Sequence, residues 1–271
     1  MKSATLPSLP PVPQSIPDPI QWKLFRAQEH LLELGEEIRR FYQQNPAKVV
    51  REQNSSPDEF IGKVVCDVTI PAKIPCVIGD LLQNLRSSLD YLIWELVLAA
   101  KNKPTEKNMF PICSTPEAFS QQLARHRLDG VAAEAVTEIE ALQPYHSGKG
   151  TNGNVLAMVD DLCNINKHRR VITTMVYGGE APSDFTTEVI GGELYGSMNY
   201  YDMLQKGTKI GPFPMVDGPL GRGPKVNEPP QIIAFVALNE GAAQDVEVGL
   251  TLSIFIGYVI QEMARFERFF K

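Results

Sequence analysis

The sequence predicts an α+β fold in which a helical, bundle-like half packs with an antiparallel β-sheet and a C-terminal helix. A wide apolar stripe with helical spacing runs along residues 77–101. Four later segments are rich in β-branched and aromatic residues and are separated by Gly and Pro clusters. Helices and strands are therefore partly segregated along the chain, which is typical of this class.

Composition narrows the classes of function. The chain has 271 residues, 43% hydrophobic and 21% charged, as in a soluble globular protein. Its net charge of −6 argues against a broad nucleic-acid or membrane-binding face, because such a face neutralises many phosphates. Only a local basic site remains open. The four cysteines lack metal-binding and dithiol spacing, so we expect no metal, no cofactor and a cytoplasmic location.

The N-terminal segment, 1–19, is predicted to be a Pro-rich disordered tail. It holds six prolines and no apolar core, which is unlike a signal peptide. The remainder, 20–271, is predicted to be a single α+β domain. Helical spacing begins after Pro19 and ends at Asn45-Pro46. Residues 48–52 and 59–70 are predicted to form a β-hairpin, because apolar and polar residues alternate in the second of them.

The central helix is predicted over 77–101, and shorter helices near 115–125, 130–141 and 154–168. Ser114 or Thr115 is expected to cap the first of these short helices. Strands of an antiparallel sheet are predicted in the β-rich segments, which cover residues 170–178, 184–190, 193–204 and 231–238. The last element, 247–270, is predicted to be an apolar helix, although its first residues also alternate like a strand.

Polar residues within the central helix form the first candidate site. A helical projection places Arg86 at the edge of the apolar stripe and Asp90 one turn later on the same edge. An ion pair between them is one interpretation, and it would contribute only a few tenths of a kcal/mol if exposed. Phosphate binding by Arg86 is the other.

The stretch "NLRSSLDYL" around these residues resembles the motif region of HEPN domains, helical bundles that often carry an Arg followed by a His on one helix. In the family's active ribonucleases, dimerisation brings together the Arg and His of two protomers, and RNA is cut without metal. The resemblance implies that Arg86 binds phosphate in a homodimer acting on RNA or nucleotide. Tyr91 stands where the His is expected, and a phenol is a poor base at neutral pH.

A broader resemblance covers roughly residues 20–175. The motifs "RAQEHL", "NLRSSLDYL", "FPI", "LQPY" and "NINKHR" are similar, in the same order, to those of a group of uncharacterised bacterial proteins. This resemblance brings no established activity. The β-rich half has no counterpart in a minimal HEPN bundle.

The polar segment "LCNINKHRR" forms the second candidate site. Projection places Asn166 and Arg169 toward the core, where they would be paired, and Asn164 and His168 on a flank shared with Asp161. Its cations also suit a helix C-terminus, where they meet the negative end of the helix dipole. Flanking cations would favour a neutral His168 able to act as a base.

Two functions remain open. In the first, the chain is a HEPN-like domain directed at RNA or nucleotide whose activity is lost or altered. That activity would be at most a ribonuclease-like cleavage that requires no metal. Its catalytic residues would be Arg86, Tyr91, His168 and His30, and its binding residues Asp90, Asn164, Asn166, Lys167 and Arg169. In the second, the chain is a non-catalytic binding module in which the polar motifs are buried fold determinants. The second function predicts that Arg86→Ala and Arg169→Ala lower the melting temperature.

Overall fold

The structure is a computed structural model that describes residues 9–44, 48–53, 59–65, 69–147, 153–169, 171, 173–179, 188–189, 192–193, 209–214, 232–240 and 246–271. The chain divides into two compact units. The first comprises Met1–Glu37, Ala72–Ile172 and Leu238–Lys271, and the second comprises Ile38–Pro71 and Thr173–Ala237.

Six α-helices are described: α1 (Asp18–Gln44), α2 (Lys73–Ala99), α3 (Pro116–Ala124), α4 (Ala133–Ala141), α5 (Val155–His168) and α6 (Val248–Met263). Two short 3-10 helices cover Pro144–His146 and Ala264–Phe269. Within the described ranges, none of the helices combines the length and the apolar character needed to cross a bilayer.

The described strands are β1 (Lys48–Gln53), β2 (Glu59–Val65), β3 (Thr173–Gly179), β4 (Glu188–Val189), β5 (Gly192–Glu193), β6 (Lys209–Pro214), β7 (Ile232–Leu238) and β8 (Val246–Glu247). The backbones of β1 and β2 pair antiparallel with Lys48 opposite Val65, so the hairpin predicted here is present. β6 pairs with the other edge of β2. The predicted segment 193–204 lies outside the described residues except for Glu193.

The predicted fold class is wrong. Of the residues whose side chains the structure describes, 68% are helical and 3% lie in strands, so the described core is built by helices and not by a sheet packed with helices. Nearly all the strand residues belong to the second unit. The prediction of a sheet packed with helices was wrong because β-branched composition indicates an extended backbone but does not show which elements pack on its faces.

The central helix lies in the core, as its apolar stripe predicted. It begins at Lys73, four residues before the predicted start, because Pro75 falls in the first turn, where the missing N–H costs no helical hydrogen bond. The stripe is buried to 2% exposure or less at Ile78, Leu81, Leu82, Leu85, Leu89, Leu92, Ile93 and Leu96.

Two further predictions about helices are confirmed. The Thr115 hydroxyl accepts a hydrogen bond from the amide of Ala118 at 3.2 Å and so caps α3. The C-terminal segment is helical from Val248, and strand geometry is limited to Val246–Glu247.

The disordered tail needs correction for residues 9–19. Val12 and Ile16 are 5% and 2% exposed, and α1 already begins at Asp18. Pro-rich composition favours an extended backbone, but it does not prevent aliphatic side chains within that segment from being buried. Residues 1–8 lie outside the described part of the chain.

Candidate functional site

Arg86 lies on the side of α2 that faces α5 and is only 7% exposed. Its guanidinium makes three polar contacts. One terminal nitrogen, Nη1, donates to Oδ1 of Asp90 at 2.8 Å, and Nη2 donates to the carbonyl of Phe110 at 2.8 Å. Its Nε lies 3.2 Å from Oδ1 of Asp160 on α5. Arg86 therefore joins α2, α5 and the loop that precedes α3.

Asp90 completes this network from the next turn of α2. Its Oδ1 accepts a hydrogen bond from the amide of Phe110 at 2.9 Å, so Arg86 and Asp90 together bind both backbone polar groups of that residue. The Phe110 side chain is fully buried. Burial raises the pKa of the Asp90 carboxyl, and the nearby Arg86 charge opposes that shift. Hydrogen bonds thus join the motif "NLRSSLD" directly to the motif "FPI".

Gln143 ties the "QPY" motif to the same loop. It is 1% exposed, and its Nε2 donates to the carbonyls of Pro111 at 3.0 Å and Ile139 at 2.9 Å. Its Oε1 accepts from the amide of Cys113 at 2.9 Å. Both ends of the amide are therefore paired inside the protein, as buried polar groups must be. Gln143 acts as a fold determinant in a segment where no secondary structure satisfies the backbone.

The close crossing of α2 and α5 involves the "NINKHR" motif. Gly79 is buried in α2, and a Cβ added there would lie 2.6 Å from Nδ2 and 2.7 Å from Cγ of Asn166. One turn away, the Cys163 thiol donates to the carbonyl of Leu82 at 3.2 Å. Burial raises the pKa of this thiol to about 12, so it is not a nucleophile at neutral pH. Asn166 therefore packs against α2, as its inward projection predicted.

This crossing makes a testable prediction. Gly79→Ala should lower the free energy of unfolding by about 1–3 kcal/mol, because the new methyl group overlaps the Asn166 side chain. In an Asn166→Ala background the overlap disappears, and the same substitution should raise stability by up to about 1 kcal/mol through helix propensity. Urea unfolding of the four variants measures this reversal of sign. An equal effect of Gly79→Ala in both backgrounds would contradict the packing.

Arg169 follows the last turn of α5 and binds Glu240, which belongs to the segment Leu238–Lys271 of the same unit. Its Nη1 and Nη2 reach the two carboxylate oxygens of Glu240 at 2.5 and 2.9 Å. The side chain of Glu240 is 5% exposed, whereas that of Arg169 is 50% exposed. The pair is bidentate, which is the strongest geometry for this kind of contact. Arg169 is paired, as predicted, but the buried member of the pair is Glu240 and not Arg169.

The other polar residues of α5 face solvent. Asp161, Asn164, Lys167 and His168 are all exposed. The Asn164 amide donates to Asp160 at 3.1 Å, and Lys167 donates to Asn164 at 3.3 Å. The flank that carries His168 is therefore a hydrated helix surface, and the α5 residue that meets Arg86 is Asp160.

The predicted catalytic residues do not converge. His168 comes eight residues after Asp160, which is about 12 Å further along the helix axis. Nδ1 of His30 lies 3.6 Å from Oε2 of Glu33, a residue that also binds Lys73 at the first turn of α2. Tyr91 is 41% exposed, with the Lys23 ammonium 5.4 Å from its ring centroid. Each candidate base has a different neighbourhood from Arg86.

Four residues that make the contacts described above were not predicted from the sequence: Gly79, Gln143, Asp160 and Glu240. Gln143 and Asp160 carried a usable signal, since a polar residue at an otherwise apolar helix position or beside "PY" has to be paired if it is buried. Gly79 and Glu240 carried none, because their roles depend on which segment crosses them.

Among the described residues, no group of three or more His, Cys, Asp or Glu side chains is arranged to hold a metal ion. No family model, curated protein or solved structure matches this chain.

Proposed function

We propose that this protein is a non-catalytic binding module in which the polar motifs hold the helical unit together. The observation that carries the proposal is the burial of Arg86, whose guanidinium is engaged by Asp90, Phe110 and Asp160. Each of the three guanidinium nitrogens already contacts a protein oxygen, and the side chain is only 7% exposed, so a ligand has little access to Arg86.

Electrostatics adds a second argument. A phosphate approaching Arg86 would meet the carboxylates of Asp90 and Asp160, each within 3.2 Å of the guanidinium. Their negative charge repels the ligand that a ribonuclease has to bind. The phosphate would also have to displace the Phe110 carbonyl, which leaves a buried acceptor without a partner. Binding at Arg86 would therefore work against the fold.

The placement of the candidate bases supports the same proposal. General acid–base catalysis requires a base within hydrogen-bonding distance of the reacting group. His168 lies on the solvated flank of α5, about 12 Å along the helix from the Asp160 contact with Arg86. Tyr91 and Arg86 point about 140° apart on α2. A single chain therefore offers no paired base and phosphate site among these residues.

A cleavage assay tests the proposal. Single-stranded RNA carrying a fluorophore and a quencher is incubated with the wild-type protein, once with EDTA and once with Mg²⁺ or Mn²⁺. We expect no cleavage above the buffer rate. His168→Ala and Tyr91→Phe are suitable companion variants, because both side chains are exposed and their loss should leave the melting temperature within about 1 °C. Wild-type cleavage that either variant abolishes would overturn the proposal.

A further inference from the structure

The outward face of α2 carries three large apolar side chains in its C-terminal half. Tyr91, Trp94 and Leu98 are 41%, 44% and 46% exposed. They project within about 60° of one another on an ideal helix, so they form one continuous stripe. The Lys23 ammonium lies 5.4 Å from the Tyr91 ring centroid and borders the stripe on the side of α1. Exposed apolar stripes that contain aromatic residues are typical of protein interfaces.

The N-terminal half of the same face carries smaller and polar side chains. Asp80, Gln83 and Ser87 project within about 60° of Trp94 on an ideal helix. Asp80 and Gln83 are exposed, and Ser87 is half-buried. Nε2 of Gln83 donates to the Ser87 hydroxyl at 3.2 Å. This half therefore has no large apolar side chain.

One charge of each sign marks the two ends of this face. Asp80 lies near the N-terminal end, and Lys101 follows Ala100, the C-cap of α2. Both charged side chains are exposed, and neither has an ion-pair partner within the part of the chain that the structure describes. The two ends of the face are therefore opposite in charge, as its two halves are opposite in bulk.

These opposite halves fit each other when two copies of the helix run antiparallel. Three pairs of positions are centred on the same point of α2, between Asp90 and Tyr91: Asp80 with Lys101, Gln83 with Leu98, and Ser87 with Trp94. A two-fold axis through that point places each member of a pair against the other member in the second copy. Both charges then meet an opposite charge, and each large apolar side chain meets a smaller or a polar one. A parallel arrangement would place like charges together.

We infer that this face of α2 is the interface of a homodimer in which the two copies of α2 pack antiparallel. The inference goes beyond the proposed function, which assigns no partner. Arg86 takes no part in this contact, because it is buried on the side of α2 that faces α5. One helix face per copy is small for a protein interface, so we expect a dissociation constant of about 1–100 µM.

Reversal of the two charges in the full chain tests the inference. Sedimentation velocity up to about 500 µM should show a monomer–dimer equilibrium for the wild type. Asp80→Lys and Lys101→Asp each place like charges together at both ends of the interface, so each should raise the dissociation constant at least tenfold. The double variant Asp80→Lys/Lys101→Asp restores both pairs with exchanged signs. Its dissociation constant should return to within about threefold of the wild-type value.

Matched controls separate the interface from general effects of charge and apolar surface. Glu134→Lys makes the same change of charge at an exposed position of α4 and should leave the dissociation constant unchanged. Trp94→Ser should raise it at least tenfold, whereas Leu250→Ser, at a position of α6 that is 50% exposed, should not. Circular dichroism of each variant verifies that its helicity is native.

Three results would overturn the inference. The first is a wild type that stays monomeric at about 500 µM, and the second is a double variant that dimerises as weakly as the single ones. The third is equal affinity in the α2 variants and their controls. None of these results bears on the RNA assay, which measures cleavage by the wild type, and cleavage would leave the dimer standing. The two proposals therefore fail separately.

Discussion

Replacing Arg86 with Ala should lower the free energy of unfolding by about 3–5 kcal/mol, the usual cost of breaking a buried ion pair from one side. The loss leaves the carboxylates of Asp90 and Asp160 close together without their shared cation, and the Phe110 carbonyl without a donor. At roughly 2–4 °C per kcal/mol, the melting temperature should fall by about 10 °C or more.

Differential scanning calorimetry measures this fall. Arg125→Ala is the matched control, because Arg125 is exposed at the C-terminus of α3 and its removal should change the melting temperature by less than about 2 °C. A melting temperature for Arg86→Ala within that same range would mean that the network contributes nothing to the fold. The proposal of a scaffold role for Arg86 would then have to be abandoned.

The second large effect concerns Gln143. Gln143→Glu keeps the size of the side chain but turns the two donations to Pro111 and Ile139 into contacts between carbonyl oxygens and a buried carboxylate. Unsatisfied and repelling groups of this kind cost several kcal/mol at neutral pH. We expect the melting temperature at pH 7 to fall by about 10 °C.

The pH dependence of Gln143→Glu identifies the cause. Burial would raise the pKa of the new carboxyl above its unfolded value near 4.3, so the folded state holds the proton more tightly. Such a group is best tolerated at low pH, and the stability deficit grows as pH rises through the folded pKa. The deficit relative to the wild type should therefore be smaller at pH 5 than at pH 7.

Gln143→Met provides the uncharged control for that experiment. It has similar volume and also loses the hydrogen bonds, but its deficit should be the same at pH 5 and pH 7. Parallel pH profiles for the Glu and Met variants would show that the Gln143 environment admits water, contrary to its 1% exposure.

Helices were the predictable part of this protein. The apolar stripe of α2 identified its core face, and Thr115 identified the start of α3. Both signals are local, since helical spacing and N-caps depend on residues within one or two turns. The inward direction of Asn166 was accessible in the same way.

The strength of the contacts was not predictable. Arg86 was placed at the edge of the apolar stripe, where an ion pair with Asp90 has little effect when exposed. The arrival of α5 and of the Phe110 loop from elsewhere in the chain buries that edge and supplies Asp160 as a second carboxylate. The same residues thereby change from a surface pair to a buried network, whose disruption is costly.

The sequence by itself determined which segments are helical, which helix faces are apolar and which polar residues interrupt them. Tertiary structure alone decided that the helices form the described core without a packed sheet and that Arg86 is paired with Asp90, Phe110 and Asp160. It also decided that Val12 and Ile16 of the Pro-rich segment are buried. The physical reason is distance along the chain. Periodicity and capping act between near neighbours, whereas burial and pairing depend on segments that meet only after folding.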